Sequence, residues 1–245
     1  MSGIKHWLTP DWPAPANVHA ATTLRSGGIS CGAYTSLNPA MHVGDDVGVV
    51  KQNRQTIKES LGLPDDPVWL DQIHSNRAVP AVTTESLQQA DASYTAESGV
   101  VCAVLTADCL PLLVCAVDGS WVAAIHAGWR GLLAGVIGNT VSAMQNSDLL
   151  VWLGPAIGPD CFEVGGEVRD AFLQKSAAFS TAFKPQNNGK WLADIYQLAR
   201  IDLAMMGLNI KVYGGGFCTV TEQERFYSYR RDKQTGRMAT LIWRE

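Results

Sequence analysis

A chain of 245 residues, 47% hydrophobic and 17% charged, carries enough apolar material for a substantial core and too few charges for a disordered segment. Its formal net charge of -4 argues against a general binder of nucleic acid or of anionic membranes, since both need a basic surface. No apolar run is long enough to span a bilayer and the opening MSGIKHWLTPDWPAPA has no apolar signal core, so a cytoplasmic protein is expected.

In chain order, Val18 to Leu24 is predicted as a strand. The Gly-rich and Ser-rich stretch RSGGISCGAYTSLNPAMHVGDD follows, and its interspersed Tyr34, Leu37 and Met41 favour an ordered loop lying on the body. Asn53 to Leu61 is predicted as a helix ended by Gly62 and Pro64. Val101 to Leu105, Leu112 to Val117 and Trp121 to Ile125 are strand-like apolar runs, the last two joined by Asp118-Gly119. Continuous apolar runs imply a sheet covered on both faces. A helix is predicted over Leu132 to Met144 and a strand over Leu149 to Leu153. That succession implies a right-handed crossover and at least one parallel pair. Gly166 to Gln174 and Leu192 to Met206 are predicted as helices, and Val212 begins a short strand closed by Gly214 to Gly216. The tail FYSYRRDKQTGRMATLIW is predicted as a hairpin with KQTG as its turn. No repeat or linker divides the sequence, so one α/β domain over 1–245 is expected, with a mixed sheet between layers of helices.

Three residues stand where apolar runs end: His74 in WLDQIHSNR, Cys109 in ADCLP and His126 in IHAGWRG. A lone cysteine or histidine is commonly a buried or satisfied residue. Here Pro111 closes the turn after Cys109, and Gly128 and Gly131 flank Arg130, marking strand ends where function concentrates in α/β proteins. A thiolate and two imidazoles suit zinc or copper and leave one position open, the form of a catalytic site. Such a metal would lower the pKa of bound water. Without one, Cys109 and His126 could act as thiolate and base. Cys102 and Cys115 fall inside apolar strands and are assigned to the core. Asp91 and Asp108 are assigned to turn caps, Asp108 being the better catalytic candidate because it adjoins Cys109. Arg130, at the expected start of a helix, is a candidate anion site. No GxGxxG, P-loop, GxSxG or HExxH pattern is present.

At these residues the sequence resembles the YfiH family, also described as the multicopper polyphenol oxidase or laccase-domain family. Its members are also called purine nucleoside phosphorylases and the peptidoglycan editing factor. The resemblance is carried by TLRSGGIS, SLNPAMHVGDD, VWLDQIHSNR, ADASYT, LTADCLPLL, IHAGWRGL, WLGPAIGP and FYSYRRDKQTGRMATLIW, in order over nearly the whole chain, and is close to the enterobacterial members. It implies a three-layer α/β/α domain similar to the catalytic domain of the cytotoxic necrotizing factors, and zinc, or alternatively copper, on His74, Cys109 and His126. It further implies a purine pocket in which Arg25, Asn38 and His42 are candidates, with Arg130 for phosphate.

The implied activity is phosphorolysis of adenosine, inosine and methylthioadenosine, with deamination of adenosine. The alternative is a cytosolic amidase that edits peptidoglycan precursors carrying L-Ser. A polyphenol oxidase ranks last, because five histidines are too few for a multicopper cluster. A metal-binding module without catalysis is disfavoured by the open coordination position. The partners expected are purine nucleosides and phosphate, with neither nucleic acid nor membrane, in a monomer or homodimer.

Overall fold

The computed structural model describes residues 5–84, 86–144 and 148–245. The chain opens with β1 (Trp7–Leu8) and β2 (Val18–Thr23), and then the long loop, in which Tyr34 and Leu37 are buried as their apolar character required. Helix α1 (Val47–Leu61) begins well before the predicted Asn53, because Asp46 caps it, accepting a 2.9 Å hydrogen bond from the Val49 amide. Gly62, at φ 59°, ends it in the left-handed region. Short strands β3 (Leu70–Asp71), β4 (Ala78–Pro80) and β5 (Gln88–Gln89) lead into β6 (Ala92–Thr95). The apolar centre follows as β7 (Cys102–Thr106), β8 (Leu110–Ala116) and β9 (Val122–Ala127). The helix expected over Leu132 to Met144 is two, α2 (Trp129–Ala134) and α3 (Val136–Met144), broken where Gly135 turns to φ 88°. Then come β10 (Asp148–Leu153), β11 (Glu163–Val164), α4 (Gly166–Lys175), β12 (Phe183–Pro185) and β13 (Trp191–Ala193). Asp194 caps α5 (Ile195–Ala204), so Leu192 belongs to a strand rather than to the predicted helix. The chain closes with β14 (Asn209–Gly214), α6 (Tyr229–Asp232) and β15 (Met238–Arg244).

The strands form two main sheets where one was expected. The first is antiparallel, in the order β1-β2-β15-β7; the second is mixed, in the order β14-β10-β8-β9-β6-β4. They pack face to face. Cys102, Val104 and Ile242 of the first meet Leu113, Cys115, Val122, Ala124 and Trp152 of the second in one dry cluster. The opposite face of the second sheet, with Leu112, Val114, Ile125 and Val151, is covered by Leu132, Ile137, Phe172 and Leu198 of the helices. The outer face of the first sheet, with Ala103, Leu105 and Leu241, is covered by Ile57 of α1. The three-layer α/β/α expectation is therefore corrected to four layers, helix, sheet, sheet, helices. The physical reason is β15, which inserts between β2 and β7 and so builds the first sheet from both ends of the chain. That also overturns the predicted tail hairpin: Ser228 caps the short α6 instead, accepting from the Arg231 amide at 3.2 Å, and KQTG joins no strand pair.

The crossover β9-α2-α3-β10 joins strands that run the same way with β8 between them, and the parallel pairs are β10 with β14, β4 with β6 and β3 with β5. Among the described residues, no helix is long and apolar enough to cross a membrane.

Candidate metal centre

The β8–β9 register dictates where Cys109 lies. Leu110 pairs with Ala127 and Pro111 with His126, so Cys109, just before β8, comes opposite Gly128. Side chains alternate along strands, which puts Cys109 diagonal to His126 on the face between the two sheets. Gly128 opens the space: a Cβ there would stand 3.0 Å from Cys109 Sγ and 3.1 Å from His74 Cδ2. His74 arrives from the loop after β3 at φ 60°. Its Nε2 lies 3.9 Å from Cys109 Sγ, and its ring meets that of His126 edge-on at 4.8 Å between centroids.

Asp91 fastens both histidines. It precedes β6, whose Ala92 pairs with Ile125, and thus lies opposite His126. Its buried carboxylate accepts His126 Nδ1–H at 2.7 Å, the His74 amide at 3.0 Å, and the Ser75 amide and hydroxyl at 2.5 and 2.7 Å. Burial raises the pKa of such a carboxyl, but the bonds from His126 and Ser75 outweigh it and hold the pKa below its usual value. Burial likewise opposes charge on Cys109 and His126, yet each stabilises the ion on the other. The thiol is brought down to about 6 by His126 and His74, and the imidazole is raised to about 9 by Cys109 and Asp91.

The donor set fits a metal. Zinc bonds sulfur at about 2.3 Å and imidazole nitrogen at about 2.0–2.1 Å, so a sulfur and a nitrogen on one ion stand at most about 4.4 Å apart. Here Cys109 Sγ and His74 Nε2 stand 3.9 Å apart, inside that limit, and all three donor atoms lie within 4.8 Å of one another, so a small inward shift of the side chains would bring the set onto one ion. The Asp91 bond leaves His126 Nε2 free to face the same point, the outer-shell arrangement that metal-bound histidines use.

The structure thus brings together the three residues expected to meet and adds Asp91, assigned from sequence to a turn cap. It does cap the His74–Ser75 turn, and it also holds the His126 ring. Asp108 is a fastener: at φ 92° its carboxylate accepts Thr219 Oγ1 and the Arg230 amide, each at 2.6 Å. Cys102 and Cys115 are fully buried, as expected.

The remaining candidates scatter. His42 is exposed, and the charges of Arg237, Arg54 and His126 reach it. Asn38 is fully buried, and its amide is engaged by Ala40, Asp45 and the Arg237 amide, which ties it into the loop. Arg25 stacks on Tyr227 and donates to the Thr35 and Gln223 carbonyls. Arg130 is exposed and stacks on Trp129.

The family described as "Multi-copper polyphenol oxidoreductase laccase" matches residues 19–245. A purine nucleoside phosphorylase of Pseudomonas aeruginosa is 54% identical, over 97% of this chain and 98% of its own. The Escherichia coli purine nucleoside phosphorylase YfiH is 52% identical, over 96% and 98%. Among solved structures, a Neisseria meningitidis protein superposes with a TM-score of 0.95 at 50% identity, over 98% of this chain and all of that one. YlmD of Geobacillus stearothermophilus superposes at 0.92 with 32% identity, over 100% and 98%. With the same fold and half the residues shared along nearly its full length, the chain belongs to the YfiH, or laccase-domain, family.

Proposed function

We propose that this chain is a zinc-dependent purine nucleoside phosphorylase. It would cleave adenosine, inosine and methylthioadenosine with phosphate to the free base and (methylthio)ribose 1-phosphate, and would also deaminate adenosine to inosine. The observation that carries the reading is the convergence of the His74, Cys109 and His126 donor atoms within 4.8 Å of one another, in a chain half identical to proteins named for that reaction. A zinc ion held there supplies Lewis-acid chemistry. The protein's own contribution is orientation and charge. Asp91 fixes the His126 ring, Gly128 lets the start of α2 close against Cys109, and the loop before α1 presents His42. Partial burial and the Arg237 and Arg54 charges lower the pKa of His42 and so favour its neutral imidazole, the form that can accept a proton. Arg130, at the first turn of α2, stands as the outer candidate for phosphate.

Copper suits the same donors, but a laccase cluster needs more imidazoles than this chain brings together. Of the other three histidines, His42 is the one whose charge His126 reaches, while His6 bonds Ser26 and His19 stacks on Trp243.

One observation favours a second reading, an amidase acting on muramoyl dipeptides with L-Ser: thiol, imidazole and carboxylate stand in succession at Cys109, His126 and Asp91. Turnover of the metal-analysed protein decides between them. Release of base and sugar phosphate from adenosine with phosphate is expected. Hydrolysis of the L-Ser dipeptide, with adenosine untouched, would replace the first reading by the second.

A further inference from the structure

Arg237 is a cation with no carboxylate of its own. It stands at the start of β15, next to Met238, which pairs with Thr106 at the end of β7 close to Cys109. Three hydrogen bonds hold it in place, and all end on neutral oxygens. Its amide donates to Asn38 Oδ1 at 3.1 Å, and Nη1 donates to the Thr235 and Gly236 carbonyls at 2.9 and 3.0 Å. Among the described residues no ion pair engages it. The negative groups whose charge reaches it are Cys109 and Asp108, and the Asp108 carboxylate is already taken by Thr219 and the Arg230 amide. Burial without a paired anion costs a guanidinium its hydration and disfavours its charge. The carbonyl contacts occupy Nη1 and leave Nε and Nη2, a planar fork matched to the oxygens of a tetrahedral oxyanion.

A second cation, Arg54, also acts on the charge of His42. Arg54 is largely desolvated, stacks 4.1 Å over the Trp69 ring and donates Nε–H to the Pro39 carbonyl at 2.8 Å, again with no carboxylate among the described residues. Asp71, the acid facing this strip, accepts a hydrogen bond from Gln89. The His42 side of the centre therefore carries two guanidiniums that no carboxylate pairs among the described residues, with the Cys109 sulfur as the nearest negative group.

We propose that Arg237 is the inner anchor of an oxyanion subsite, with His42 beside it, that holds inorganic phosphate next to Cys109. This rests on the phosphorylase reading for its role in turnover, though not for the binding itself. Sequence position pointed to Arg130, whose guanidinium is exposed and stacked on a neighbouring indole. Arg237 is half-buried, has no carboxylate partner among the described residues, and lies where the Cys109 charge reaches it. A polar side chain in a C-terminal tail gives no sign of this until β15 carries it back to the end of β7.

The test uses the intact, metal-loaded protein with Arg237→Gln, Arg237→Lys and, as a surface comparison, Arg169→Gln, whose arginine stacks on Trp191 beside Asp170. In phosphorolysis of adenosine, Arg237→Gln should raise the phosphate KM at least tenfold, with adenosine KM, zinc content and thermal midpoint near wild type. Arg237→Lys should recover part of the loss, and Arg169→Gln should match wild type. Calorimetric titration with inorganic phosphate, without nucleoside, should show binding to wild type that Arg237→Gln loses. A phosphate KM within twofold of wild type in Arg237→Gln, or no phosphate binding to wild type, overturns the subsite. Wild-type protein that binds phosphate through Arg237 yet forms no sugar phosphate keeps the subsite and refutes the phosphorylase reading instead.

Discussion

Cys109 and Cys115 belong to one arm of one hairpin, and the structure gives their sulfurs opposite characters. Cys115, with Cys102 across the gap, lies in the dry layer between the two sheets, where burial pushes both thiols up to about 12. Cys109 stands at the mouth of that layer, where β8 has just left its turn. There the His126 charge and two imidazole contacts reverse the effect of burial. Depth alone therefore does not make a thiol reactive or inert. What differs is a histidine oriented by a buried carboxylate, and Asp91 provides one only at the open end. The interior uses sulfur as a small hydrophobe, and the mouth uses it as an anion.

Substitution separates the two regions most strongly. Cys109→Ala should abolish stoichiometric zinc, from about one ion per chain to near none by elemental analysis, and turnover with it. Next in size, Asp91→Asn keeps the shape of the side chain but removes the charge that orients His126. Metal affinity, read by competition with a coloured chelator, should weaken roughly 10–100-fold, the usual consequence of losing an outer-shell partner. Smallest is the change in the dry layer. Cys115→Ala should leave zinc and turnover intact and lower stability by roughly 0.5–3 kcal/mol in denaturant unfolding, as a small core truncation does. Lost zinc in Cys115→Ala, or retained zinc in Cys109→Ala, would erase the contrast between mouth and interior.

What was readable in the sequence divides along similar lines. The central strands could be read because β7, β8 and β9 are covered on both faces and so keep continuous apolar runs. The trio could be read because each member breaks such a run. Asp91 was seen only as a cap, since its bond to His126 spans 35 residues and appears only when β6 pairs with β9. The split into two sheets was hidden for the same reason: apolar strands do not announce their partners, and β15 finds β2 and β7 from the far end of the chain. The break at Gly135 was hidden because the apolar stripe runs on through GLLAGVIG while the backbone turns. Arg25 and Asn38 sit in distinctive motifs, and their loop-fastening contacts, which reach Gln223 and Asp45, become visible only once the long loop is folded.

Alkylation followed by peptide mass spectrometry distinguishes Cys109 as a metal ligand from Cys109 as a free nucleophile. With zinc bound, iodoacetamide should label Cys109 slowly at neutral pH, because the sulfur is already coordinated. After chelation, labelling should become fast, and its rate should climb with pH through about 6 as the thiolate forms beside His126, while Cys102 and Cys115 stay unlabelled in the folded protein. Turnover should vanish with the zinc and return when it is restored. Equal labelling of Cys109 before and after chelation, with full activity in verified zinc-free protein, would contradict the account.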